Sequence, residues 1–125
     1  MTGLLVDTCV LIDSLRDRPA VIEFWRRVQG RPSVSVVTVA ELYAGARNHR
    51  EESGIERLLA SMLVRDIDLT TARLAGRFCR DFRRSHGVEM PDALIAATAR
   101  VHGARLVTRN VRHFPMLDDL VVPYR

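Results

Sequence analysis

The feature that most restricts the fold is an alternation along the chain. Short apolar, β-branched runs are separated by longer stretches whose apolar residues recur at helical spacing. Such a pattern predicts an α/β domain: a mostly parallel sheet covered by helices on both faces, a three-layer α/β/α sandwich. Leu4-Leu5-Val6 is apolar throughout, as a strand buried on both faces must be. A short helix is expected over residues 10–16. Pro19 opens the next helix at its first turn, Val21, Phe24, Trp25 and Val28 share its inner face, and Gly30 stops it. Residues 34–37 read as a second strand, 38–47 and 52–63 as helices, and 64–67 as a short strand. Residues 70–86 form a long amphipathic helix ended by Gly87. Leu74, Ala75, Phe78, Cys79 and Phe82 face inward on it, and Arg73, Arg77, Arg80 and Arg84 line the opposite side. Pro91 opens an Ala-rich helix to about His102. Leu106-Val107 and Leu120–Val122 are expected as the last strands, the final one at an edge because Pro123 closes it.

With 125 residues and no linker, repeat or low-complexity tract, the chain fits one domain over residues 1–125. All 19 basic residues are Arg, against 15 acids, for a net charge of +4. Arginine grips phosphate bidentately and stacks on bases, so this balance is compatible with a nucleic-acid partner, although net charge does not say where the charges lie. Cys9 and Cys79 belong to no CxxC pair and no zinc-type spacing, so both are expected as free thiols in a reducing compartment. The first residues carry no basic segment followed by a long apolar run, and no stretch has the length of a membrane span. The expected location is cytoplasmic.

Three carboxylates carry the functional argument. Asp7 ends the first strand, at the rim where open α/β sheets bind ligands, and an N-cap for the next helix also accounts for it. Glu41 follows the second strand, and as the fourth residue of Thr38-Val-Ala-Glu it also fits a capping box. Asp92 stands in the first turn after Pro91, where it complements the helix dipole. Each position has a structural explanation of its own. Together they can converge on one acidic pocket, and like charges so gathered need a divalent cation. Hard oxygen donors select Mg²⁺ or Mn²⁺, and a metal so placed serves phosphodiester hydrolysis.

The segments LLVDTCVLID, VVTVAELYAGAR, MPDALIAATA and LVTRNVRHF resemble, in order and spacing, a PIN-domain ribonuclease of the VapC toxin type. The resemblance covers essentially the whole chain, and the third segment is its most specific part. It implies a PIN-like fold and Mg²⁺- or Mn²⁺-dependent endonucleolytic cleavage of RNA. It places metal acids at Asp7, Glu41 and Asp92, and an orienting hydroxyl at Thr8. It also implies a small VapB-like antitoxin, as in type II toxin–antitoxin systems, and a homodimer. The last motif departs from the pattern: Asn110 stands where a fourth acid is expected, and His113 where a further acid is sometimes found. Asn110 can ligate through its carbonyl but brings no charge, which leaves single-metal chemistry. A housekeeping PIN nuclease in RNA maturation and a catalytically inactive RNA-binding regulator are the alternatives.

Other residues are read as follows. The arginine row on the 70–86 helix either grips an RNA backbone or is a solvated face. His86 and His113 are acid–base candidates or surface histidines. Asp13 is expected as a surface acid, less often as part of the acidic pocket. Trp25 and Tyr43 are assigned to packing, and Asp118 and Asp119 to a solvated turn.

Overall fold

A computed structural model describes residues 1–125. Four three-residue strands, β1 (Leu4–Val6), β2 (Ser33–Ser35), β3 (Leu63–Arg65) and β4 (Arg105–Val107), form one parallel sheet in the order β3-β2-β1-β4. Six helices connect and cover them: α1 (Thr8–Leu15), α2 (Pro19–Arg27), α3 (Val36–Gly45), α4 (His49–Ala60), α5 (Leu69–His86) and α6 (Met90–Val101). The three-layer α/β/α expectation holds. Successive strand residues point to opposite faces, so β1 feeds two cores. Leu5 joins Leu106 against α5 and α6. Leu4 and Val6 join Val34, Val107 and residues of α1, α2, α3 and α4 on the other face.

Several expected boundaries move, each for a local reason. Val36 and Val37 belong to α3 and not to the second strand. Ser35 takes extended backbone, and its hydroxyl caps the helix by accepting from the Val37 N–H at 3.1 Å. Thr38 is therefore the third helical residue, buried, and the Thr38–Glu41 capping box does not form. Asp7 is the true N-cap of α1, which starts two residues earlier than the pattern suggested. The run Leu120–Val122 contributes a single parallel bridge, Val121 to Val107, and not a strand. Pro123 supplies no N–H to extend the ladder. Tyr43 is exposed and not packed.

The strand order fixes where a ligand can sit. β1 connects to neighbours on opposite sides, β2 and β4, so the topology reverses beside β1. The crevice outside the carboxyl ends of β1 and β4 is the switch point at which parallel sheets bind ligands.

Candidate active site

Asp7 and Thr108 follow β1 and β4 at that crevice. Strand β4 carries the Thr108 hydroxyl to Asp7, where it donates to Oδ2 at 2.7 Å. The other carboxylate oxygen, Oδ1, accepts the Thr8 N–H at 2.8 Å. Asp7 is 3% exposed, so these two donors take the place of water around its carboxylate. The Cys9 thiol also lies 3.4 Å from Oδ2. Burial and then the Asp7 charge push that thiol up to about 11, which keeps it protonated and unreactive at neutral pH.

Glu41 reaches the site from the second turn of α3. Its Oε1 accepts from the Thr8 hydroxyl at 2.7 Å, and that hydroxyl also lies 2.9 Å from the Thr38 hydroxyl. A chain of two threonines thus ties α1 to α3 and holds Glu41 beside Asp7. The Thr8 hydroxyl, expected to orient Asp7 or a water, bonds Glu41 and Thr38, and Thr8 meets Asp7 through its backbone N–H alone.

Asp92 projects from the first turn of α6, partly exposed. Its Oδ2 is 3.2 Å from His113 Nδ1. Burial raises the Asp92 carboxyl above its ordinary range. The charges of Asp7 and Glu41 raise it further, and His113 opposes them. Three acids from three elements therefore feel one another. No three His, Cys, Asp or Glu side chains yet surround a common point at metal-ligand distance. The donor chemistry nonetheless fits a hard divalent cation: oxygen ligands, mutual repulsion, and an Asp7 already held in one orientation.

Asn110 is less closely drawn in. It is exposed, and its side chain makes no hydrogen bond. Its backbone N–H donates to Thr108 Oγ1 at 2.9 Å, so it supports the hydroxyl that supports Asp7. His86 is exposed and bonds to Ser85 at 2.8 Å, with no link to the acids.

Asp13 is neither a surface acid nor a member of the pocket. It is 4% exposed and accepts from Arg18 at 3.1 Å, Arg109 at 2.7 Å and the Tyr124 hydroxyl at 2.6 Å. Burial opposes its ionisation, but the hydrogen bonds from Tyr124, Arg18 and Arg109 outweigh it and hold the carboxyl below the ordinary range. Through Arg109 it anchors the segment that carries Thr108 and Asn110. The roles of Thr38, Thr108 and Asp13 escape a sequence reading: Thr38 looked like a helix cap, Asp13 like a surface acid, and the signal at Thr108 is a hydroxyl directly after an expected strand.

The sequence matches the family model of the PIN domain over residues 4–119. It is 43% identical to Ribonuclease VapC10 of Mycobacterium tuberculosis, covering 97% of this chain and 92% of that one. It is 38% identical to Ribonuclease VapC19 of the same organism, covering 96% and 98%. Its fold is similar to a chain in the structure of a toxin–antitoxin complex from Klebsiella pneumoniae, with a TM-score of 0.83, 27% identity, and coverage of 97% and 98%.

Proposed function

Since this chain belongs to the PIN-domain family, and is VapC-like along nearly its whole length, we propose that it is a divalent-metal-dependent endoribonuclease and the toxin of a toxin–antitoxin pair. One observation supports the metal and the chemistry: Asp92 stands close enough to Asp7 and Glu41 that burial and their two negative charges raise its carboxyl above the ordinary range, against the pull of His113. A cation is the natural counterion to such a set, and Mg²⁺ or Mn²⁺ suits its hard oxygens.

In this reading Asp7, Glu41 and Asp92 hold the metal, and Asn110 adds a neutral oxygen at the margin. The bound cation supplies positive charge against the scissile phosphate and makes an attacking water more acidic. The protein's own groups do the positioning. The Thr108 hydroxyl and the Thr8 N–H fix the Asp7 carboxylate, the Thr8 hydroxyl steers Glu41, and His113 holds Asp92. Low exposure at Asp7 strengthens the two contacts to its carboxylate relative to water. The partners that follow are RNA as substrate, a small VapB-like antitoxin as inhibitor, and a second copy of the chain as a homodimer.

The test is RNA cleavage by purified, antitoxin-free protein in Mg²⁺ or Mn²⁺ against EDTA, beside Asp7→Asn and Asp92→Asn. Cleavage that requires metal and falls at least about a hundredfold in both variants is expected. Mn²⁺ added to EDTA-treated protein should also raise its Tm, and by less in Asp92→Asn. RNA bound but never cut, in a folded, metal-loaded protein, selects a binding module instead.

A further inference from the structure

Helix α5 carries five arginines and one acid, Asp81, in eighteen residues. Four of those arginines, Arg73, Arg77, Arg80 and Arg84, recur at steps of four, three and four. At about 100° per residue they fall within about 60° of arc, in a row about 16 Å long. All four are exposed. The opposite face, with Ala75, Phe78 and Cys79, is buried in the core against α6.

The fold makes little use of this row. Its one ion pair is Arg80 to Asp81 at 3.5 Å, with the side chains 74% and 56% exposed. Like charges three and four residues apart work against a helix. Only Arg84, in the last turn, gains from the helix dipole, and Arg73 lies toward the end where positive charge is disfavoured. Beside the row stand Thr70, Gly76 and Asp81, and the one large apolar group is the exposed Leu69 a turn before Arg73, at the end and not at the centre, whereas a protein–protein interface needs an apolar centre. A regular line of positive charge with no apolar centre is complementary to a polyanion.

Its place in the fold gives the polyanion a route. Residues 87–89 turn α5 directly into α6, and the two helices pack along each other. The Arg84 end of the row therefore lies at the end of the hairpin that carries Asp92. We infer that Arg73, Arg77, Arg80 and Arg84 form a backbone rail, which binds the sugar–phosphate chain of the RNA outside the cleaved step and leads it to the acids. This rests on the ribonuclease reading for the identity of the polyanion. It assigns the row to affinity and not to chemistry, because arginine–phosphate contacts that are equal in the ground and transition states lower KM and leave kcat alone.

The experiment measures binding and turnover separately. A fluorescently labelled RNA stem-loop of arbitrary sequence is titrated by anisotropy at several salt concentrations, in an Asp92→Asn background so that it survives. Substituting Arg77→Gln and Arg80→Gln should make the slope of log affinity against log salt shallower by about 1.4 to 1.8. Substituting all four should do so by about 3. A charge-matched control, Arg26→Gln with Arg125→Gln, should keep the parent slope. In the otherwise wild-type enzyme the double variant should raise KM for RNA about tenfold, with kcat within about twofold. An unchanged slope in the folded stripe variants, or an equal loss in the control, overturns the rail. If the protein binds RNA with the expected slopes but never cuts it, the rail stands and the nuclease reading falls. If it cuts RNA with slope and KM unchanged by the substitutions, the reverse holds.

Discussion

Thr108 is the residue on which the site's geometry turns, because its buried hydroxyl donates to Asp7 and accepts from the Asn110 N–H. Thr108→Val keeps the shape and removes both bonds. It should cost about 1–2 kcal/mol of stability by denaturant unfolding and lower turnover about 10- to 100-fold, with weaker Mn²⁺ affinity by direct titration. Asp13 gives a pH-dependent prediction. Its carboxyl titrates below its unfolded value, so its contribution to stability is full well above that value and is lost as pH falls through the folded one. Asp13→Asn should cost about 2–3 kcal/mol at neutral pH, since Arg109 and Arg18 are partly exposed and can rehydrate. The gap to wild type should be full well above the ordinary carboxylate range and narrow as the pH falls beneath it in urea titrations. An unchanged gap at low pH would mean that packing, and not charge, sustains the hub. Asp7, Glu41 and Asp92 were legible as candidates because the sequence puts each near the end of a strand or the start of a helix, and Thr8 only through the resemblance to a family. Thr108 and Asp13 were not, because Asp7, the partner of Thr108, and Arg109 and Tyr124, two of the three partners of Asp13, lie 96 to 111 positions away and only the fold brings them close.

Among the elements, helices with clear stops were the easiest to read. Gly87 ends α5 in the left-handed region at φ 64°, with open space where a Cβ would stand. Gly87→Ala should therefore cost about 1 kcal/mol through backbone strain alone, with no steric clash, in thermal or denaturant unfolding. A loss several times larger would show that the α5–α6 hairpin, and with it the placement of Asp92, tolerates no adjustment. The second strand was overextended because Val34, Val36 and Val37 are all strong β-formers. The residue that decides the matter is Ser35, whose cap commits Val36 and Val37 to a helix. The final segment looked like a strand for the same reason. Leu120 to Val122 are β-branched or apolar, but a strand also needs a ladder, and only Val121 finds a partner.

At the scale of the whole molecule, β1 couples the two cores: Leu5 packs in one, and Leu4 and Val6 in the other. Neither face can be lost without exposing the other side of a three-residue strand. Unfolding followed by far-ultraviolet circular dichroism and by fluorescence of Trp25, the one tryptophan, should therefore give coincident transitions. Separate midpoints would mean that the α5–α6 layer melts independently. The parallel order also has a consequence for the chain while it is being made. Asp7, Glu41 and Asp92 are all synthesised before residue 93, yet the hydroxyl that orients Asp7 arrives 101 positions after it, on the last strand to enter the sheet. A nascent chain halted short of β4 holds every acid and no assembled cutting edge. The order of synthesis therefore separates the making of the acids from the fixing of Asp7, which waits until β4 has paired with β1.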